Sequence, residues 1–99
     1  METKGKFIFK SIKSREGGKF TNQVGQVIEY PAIQQVKFDE VIDGESIERK
    51  IKVSNEQVQL IALLSELKPY TWVNLIFEVG FNANGCYLKL INAEKIKEN

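Results

Sequence analysis

Two strands and the turn between them are predicted by residues 33–54, IQQVKFDEVIDGESIERKIKVS. Apolar and polar residues alternate on both sides of Asp43-Gly44. This dipeptide favours a type I′ turn, in which both central residues have positive φ. Because a two-residue loop fixes the register of its flanking strands, the sequence predicts an antiparallel hairpin of Ile33–Ile42 with Glu45–Ser54.

The polar face of this predicted hairpin carries like charges opposite one another. The register places Lys37 opposite Lys50, with Lys52 on the same face, and Asp39 opposite Glu48. Like charges that face each other destabilise an antiparallel ladder, and such violations tend to fall at functional sites. A polyanion across the lysines would turn their repulsion into attraction; the alternative is that they extend into water at little cost. The acidic pair has no functional explanation in the sequence.

One helix is expected, over Asn55–Leu67. Ser54 and Gln57 have the spacing of a capping box, an apolar face follows, and Pro69 cannot continue the helix. The other segments alternate and predict strands: Lys6–Ser14, Lys19–Tyr30, Thr71–Phe81 and Cys86–Ile96.

Asn84-Gly85 is a second hairpin signal. With these two residues as the loop, Phe81 faces Leu88 on the side expected to be core. Trp72 and Tyr87 then lie on the other side, where they are candidates for exposure. For Trp72, burial as a core anchor is the alternative to stacking on a base.

The N-terminal strand has two faces by alternation. Phe7, Phe9, Lys13 and Arg15 share one face, and Ile12 lies on the other. Phe7 and Phe9 then either belong to the core or seal an interface between subunits.

Basic and aromatic residues are interleaved around Gly17-Gly18. Single-stranded nucleic-acid sites combine cations along the phosphates with flat rings on which bases stack. The residues with this character are Lys13, Arg15, Lys19, Phe20 and Tyr30.

Composition limits the chemistry that is expected. The 99 residues include 14 Lys and Arg against 13 Asp and Glu, no His and one Cys. The lack of His removes the commonest general base and neutral metal ligand, and one Cys excludes a structural zinc site built on cysteines. We therefore expect neither an enzyme nor a cofactor.

A single domain over 1–99 is expected at this length, with its core in about 19–96 and 1–18 as an N-terminal strand or hairpin extension. The longest apolar run, 60–64, is far shorter than a membrane span. The N-terminal residues lack a signal-peptide pattern, which together with the unpaired Cys86 favours the cytoplasm.

The order of the predicted elements is similar to that of a five-stranded Greek-key barrel of the OB type. Lys19–Tyr30, Ile33–Ile42 and Glu45–Ser54 would be its first three strands, followed by the helix and two further strands. In the order and length of its predicted elements and in its general residue pattern, the segment of about 19–96 resembles the small OB-fold single-stranded DNA-binding proteins of phages and mobile genetic elements. The stretches that carry this resemblance are RKIKVS (49–54), PYTWVNL (69–75) and LKLI (88–91).

The resemblance implies a mainly β, five-stranded OB-type barrel with a capping helix at about 55–67 and an additional N-terminal strand. It also implies a basic, aromatic-studded groove across strands two and three, sequence-tolerant binding, and dimerisation through β elements outside the groove. The nucleic-acid-binding residues expected here are Lys13, Arg15, Lys19, Phe20, Tyr30, Lys37, Lys50, Lys52, Trp72 and Tyr87.

The function expected is binding of single-stranded DNA without sequence specificity, in replication or transfer of a phage or mobile element. A second copy of the chain and replication or helicase proteins of the same element are further candidate partners. One alternative is a small β-barrel adaptor or inhibitor, whose acidic block Asp39–Glu48 docks on a basic partner. Another is an OB domain that binds RNA.

Overall fold

Seven strands and one short helix form the computed structural model, which describes residues 1–96. The elements are β1 (Glu2–Arg15), β2 (Gly18–Thr21), β3 (Val27–Tyr30), β4 (Ile33–Ile42), β5 (Glu45–Ser54), α1 (Val58–Ser65), β6 (Thr71–Asn82) and β7 (Gly85–Lys95).

The fold is mainly β, as the alternating pattern predicts. Five strands form an antiparallel sheet in the order β5-β4-β1-β6-β7, and β2 and β3 form a separate hairpin. The edge strands β5 and β7 contact each other, but within residues 1–96 no hydrogen-bonded ladder joins them. The sheet is therefore curled but not closed into a barrel by backbone pairing.

β1 is the central strand of the sheet and not an N-terminal extension. Residues 2–9 pair with β6, and residues 8–15 pair with β4. A strand of 14 residues is long enough to serve both neighbours in succession. The prediction that the sheet begins with Lys19–Tyr30 is therefore wrong.

The segment predicted as one strand, Lys19–Tyr30, is divided by a tight turn. Asn22 Oδ1 accepts hydrogen bonds from the backbone amides of Val24 and Gln26, at 3.1 and 2.9 Å. Gly25 has a φ of +83°, which favours glycine. An asparagine side chain that binds the backbone just beyond it is a turn former, so the chain reverses here and β2 pairs with β3.

A β-bulge at Lys10 changes which way the side chains of β1 point. The ladder with β4 is irregular directly after Phe9. An extra residue in a strand exchanges the faces of everything that follows it. Phe9 and Ile12 therefore both pack in the core, while Lys13 and Arg15 are exposed on the outer face. The predicted sharing of one face by Phe9 and Lys13 is wrong for this reason.

The hairpin of β4 and β5 has the predicted bounds and register. Asp43 and Gly44 have φ values of +50° and +81°, as a type I′ turn requires. Lys37 lies opposite Lys50 in the ladder. The prediction made from this turn is confirmed along the whole hairpin.

The hairpin of β6 and β7 turns one residue earlier than predicted. Its loop is Ala83-Asn84, and Asn82 pairs with Gly85. The backbone amide of Asn84 donates to Asn82 Oδ1 at 2.9 Å, which tightens the turn at this position. From the turn to Leu90 the register shifts by an even number of residues, so the faces there are as predicted but Phe81 lies opposite Cys86 instead of Leu88. Beyond Leu90 the ladder is irregular and the faces of β7 are exchanged, so that Ala93 is buried and Asn92 is exposed, contrary to the alternation.

The outer half of that hairpin is not core. Phe81 and Leu88 are 84% and 53% exposed, whereas Phe77 and Leu90 on the same face are buried. No other part of residues 1–96 covers the side chains near the turn. The prediction of a core face that reaches Phe81 is therefore wrong.

α1 is shorter than predicted and has no capping box. The side chain of its N-cap residue, Gln57, makes no capping hydrogen bond. Ser54 is the last residue of β5, and its Oγ accepts from the amide of Glu56 at 3.2 Å. Gln57 Nε2 instead donates to the carbonyl of Leu90 on β7, at 2.9 Å. Within residues 1–96, no helix has the length and apolar content needed to cross a bilayer.

The core joins the inner faces of the sheet strands to one side of α1. Leu60 and Leu64 are buried and lie on the same side of the helix because they are one turn apart. The buried apolar residues are Phe9, Val36, Phe38, Val53, Leu60, Leu64, Val73, Leu75, Phe77, Leu90 and Ala93.

Replacing Leu64 by alanine is expected to lower the free energy of unfolding by about 2–5 kcal/mol, because a fully buried side chain leaves a cavity. Val58→Ala is the matched control on the same helix, since Val58 is 68% exposed. Its effect should stay within about 0.5 kcal/mol. Urea denaturation followed by circular dichroism measures both, and equal losses would contradict this account of the core.

Candidate nucleic-acid interface

Three neighbouring strands bring four of the predicted lysines onto one outer face. In one row across the sheet, Lys13 of β1 pairs with Gln35 of β4, which pairs with Lys52 of β5. In the next row, Lys37 pairs with Lys50. Rows on one face of a sheet lie about 7 Å apart. We call this surface the lysine face, and its members are Lys13, Lys37, Lys50 and Lys52.

The four lysines of the lysine face form no ion pair within residues 1–96. Glu48 in the adjoining row nevertheless attracts Lys37 and Lys50 through space: after the hydrogen bond from Lys10, their charges also help to lower the pKa of Glu48. Lys13, Lys50 and Lys52 are exposed, and Lys37 is half-buried. The face therefore presents unpaired positive charge to solvent.

The acidic pair in the adjoining row is bridged by one cation. Asp39 lies opposite Glu48 in the ladder, and Lys10 Nζ lies 3.5 Å from Asp39 Oδ1 and 2.9 Å from Glu48 Oε1. The hydrogen bond from Lys10 lowers the pKa of Glu48, and the same bond raises the pKa of Lys10. Lys10 lies on β1 directly after the ladder partners Ile8–Asp39 and Phe9–Phe38, which places it beside the acidic pair. The pairing of β1 with β4 is not evident from the sequence, so Lys10 is absent from the sequence-based site.

An aromatic pair stands at one end of the lysine face. The rings of Phe20 and Tyr30 have centroids 6.2 Å apart and an interplanar angle of 43°, and both side chains are about half exposed, at 50% and 48%. A cavity of about 630 Å³ lies beside them. The predicted site residues that line it are Arg15, Phe20, Tyr30 and Lys52, and Gln35 and Ile33 of β4 lie among them.

Lys19 is not part of this cavity. It pairs with Glu29 across the β2–β3 hairpin, and the two side chains form an ion pair of 3.2 Å. Side chains alternate between the faces of a strand, so Lys19 and Phe20 point to opposite sides of the hairpin.

Trp72 and Tyr87 also lie apart from the lysine face. Trp72 is 38% exposed on β6, with Lys6 Nζ 5.0 Å from the centre of its ring. Tyr87 lies on β7, where its ring covers Gly80 and its hydroxyl donates to Glu78 Oε1 at 3.1 Å. That hydrogen bond raises the pKa of Tyr87. In the strand order, β6 and β7 lie beyond β1 from β4 and β5, although the curl of the sheet brings the edge of β7 back to that of β5.

No family model, no curated protein and no solved structure matches this chain.

Lys10→Met is expected to destabilise the protein at neutral pH, because it leaves Asp39 and Glu48 opposed without a cation. Since the pKa of Glu48 is lowered in the folded state, the stabilisation is present above its ordinary value of 4.5 and is lost as the pH falls through the folded value. The difference between variant and parent in urea midpoint should therefore shrink in acid.

Lys13→Met is the matched control, since Lys13 has no carboxylate partner within residues 1–96. Its effect on the midpoint should not show this dependence on acid. A Lys10→Met deficit that persists unchanged below the folded pKa of Glu48 would refute the bridging role.

Proposed function

We propose that the protein binds single-stranded DNA without sequence preference and without catalysis. The binding surface is the lysine face together with the cavity beside Phe20 and Tyr30. The observation that carries the proposal is the contrast between two adjoining rows: Lys10 forms ion pairs with both members of the acidic pair, whereas neither Lys37 nor Lys50 forms an ion pair within residues 1–96.

The strand order supports an OB-type assignment. If β1, β4, β5, β6 and β7 are the five strands of the Greek key, α1 follows the third strand and the β2–β3 hairpin is inserted between the first and second. OB folds bind oligonucleotides on the surface over strands two and three and on the loops beside it. By this assignment the lysine face covers strands two and three, and Phe20 and Tyr30 belong to the loop between strands one and two.

Lys37 and Lys50 face each other without an ion-pair partner within residues 1–96. Two facing lysines cost the ladder stability, roughly 0.2–1 kcal/mol. A phosphate between Lys37 and Lys50 converts that repulsion into two attractive contacts. The second row, Lys13 and Lys52 with Gln35 between them, continues the positive track toward Arg15.

The aromatic pair supplies the second half of a single-strand site. Phe20 and Tyr30 expose part of each ring beside the basic side chains of Arg15 and Lys52. Unpaired bases have both faces available for stacking, whereas bases in a duplex do not. Phosphates along the lysine face with bases against these rings therefore favour single strands over duplex.

The adaptor alternative has less support. It rests on the acidic block, yet Lys10 already binds Asp39 and Glu48, and Arg49 binds Glu40 at 3.1 Å. The assignment to replication or transfer of a phage or mobile element rests on the resemblance of sequence alone.

Titration with labelled oligo-dT at several salt concentrations tests the proposal. Affinity should fall steeply with salt, and Lys37→Gln with Lys50→Gln should make the log–log slope shallower by about 1.4, at about 0.7 for each phosphate on a single strand. The same double variant removes a repulsive pair, so its stability should be equal to or above that of the parent.

Lys68→Gln with Lys95→Gln is the matched control, since these lysines line a different cavity beside Trp72. It should leave the slope nearly unchanged. Equal slopes for the two double variants, or equal affinity for duplex, would overturn the proposal; tighter binding of a matched RNA would assign the site to RNA.

Phe20→Leu and Tyr30→Leu are each expected to weaken binding by about 1–3 kcal/mol, because each removes a stacking surface. The salt slope should not change, since no phosphate contact is lost. Phe81→Leu is the control for an exposed ring outside the site, being 84% exposed on the β6–β7 hairpin. Weakening by Phe81→Leu equal to that of the other two would exclude a specific stacking role.

A further inference from the structure

The outer edge of β7 carries backbone groups without partners. In a hairpin with a two-residue loop, the residues that flank the loop exchange both backbone hydrogen bonds, and alternate residues then point outward. By this count, the backbone N–H and C=O groups that point away from β6, toward the free edge, belong to Cys86, Leu88 and Leu90. The Leu90 carbonyl accepts from Gln57 Nε2, as an outward direction requires. Cys86 and Leu88 have no backbone partner across this edge in the described chain.

The outer edge of β5 is open in the same way. Counted from the loop at Asp43-Gly44, the residues whose backbone N–H and C=O groups point away from β4 are Ser46, Glu48 and Lys50. Within residues 1–96, β5 forms a ladder with β4 alone. The sheet therefore ends in two unpaired edges that are near each other in space.

A cavity of about 480 Å³ lies between these edges. Ile51 of β5 and Leu88 of β7 form its sides. Its floor contains Phe7, Phe38 and Phe77, whose ring centroids are 5.0 to 6.1 Å apart. Leu88 is 53% exposed and Phe7 and Ile51 are partly buried, whereas Phe38 and Phe77 are buried, so solvent reaches the side of the cavity more than its floor.

The charges at the rim of the cavity are partly paired already. Lys4 binds Glu94 at 2.7 Å, and the Arg49–Glu40 ion pair closes another part of the rim. Lys50 on β5 and Lys89 on β7 lie on the outer face, and neither forms an ion pair in the described chain. The gap thus has apolar side chains on its inner side, and Lys50 and Lys89 flank it on the outer side. Glu48 lies next to Lys50 on the same face, and Glu78 lies opposite Lys89 in the ladder.

We propose that this gap receives an extended segment of a partner protein in which apolar and acidic residues alternate. The segment adds to the edge of β7 through backbone hydrogen bonds with Cys86 and Leu88. Its apolar side chains enter the cavity, and its acidic side chains lie between Lys50 and Lys89. The proposal does not depend on DNA binding, although Lys50 belongs to both surfaces.

The test is titration of the full-length protein with a blocked peptide in which Ile and Glu alternate, followed by calorimetry and by amide NMR shifts. Binding should perturb the amides of Cys86 and Leu88. A peptide of the same composition without alternation, and one with Lys in place of Glu, should bind at least about tenfold more weakly. Methylation of the peptide nitrogens that face β7 should abolish binding, because strand addition needs those donors.

Leu88→Asp should weaken peptide binding by about tenfold or more, and Lys89→Glu should also weaken it. Val24→Asp is the control at another exposed apolar position, 79% exposed, and should bind the peptide normally. Equal binding of the methylated peptide or of Leu88→Asp would overturn the proposal. Self-association in sedimentation that Leu88→Asp abolishes, without peptide binding, would assign the gap to a second copy of the chain instead.

Discussion

The β-bulge at Lys10 is the local irregularity on which both the sheet and the candidate site depend. A regular strand would keep Phe9 and Lys13 on one face, so either the ring would leave the core or the lysine would enter it. The extra residue allows β1 to present Phe9 inward toward its neighbours and Lys13 and Arg15 outward beside β4. The residue that forms the bulge also gains partners, because Lys10 reaches both carboxylates of the opposed acidic pair.

The two like-charge pairs of the β4–β5 hairpin differ in whether a side chain of opposite charge binds them. For Asp39 and Glu48, a cation from the third strand restores attraction within the chain. Lys37 and Lys50 form no ion pair with a described carboxylate, and Glu48 attracts them only through space. Local charge conflicts that a protein leaves in place are characteristic of surfaces selected for something other than stability. The lysine pair fits that description, and the acidic pair does not.

The sequence predicts this fold best where one short turn controls the geometry. Asp43-Gly44 sets the register of its whole hairpin, since both residues adopt the φ values that the dipeptide favours. The long strand pairing of β1 has no comparable local signal, because its two partners are distant in sequence. The predicted capping box is absent for the same reason, because Gln57 donates to the Leu90 carbonyl on β7. The local spacing of residues does not reveal this contact between segments distant in sequence.

The charge of the whole chain is a poor guide to the site for a related reason. Charges interact strongly only within about 10 Å at moderate salt, so a bound phosphate responds to its immediate surroundings more than to the sum over the molecule. Five acidic side chains of residues 1–96 are held in ion pairs, among them Glu29 with Lys19 and Glu94 with Lys4. Lys19 is thereby removed from the site that its place in the sequence favours, while Lys37 and Lys50 keep their charge unpaired. A nearly neutral composition is thus compatible with a local group of lysines that form no ion pair, because the sum over the chain does not say where the charges lie.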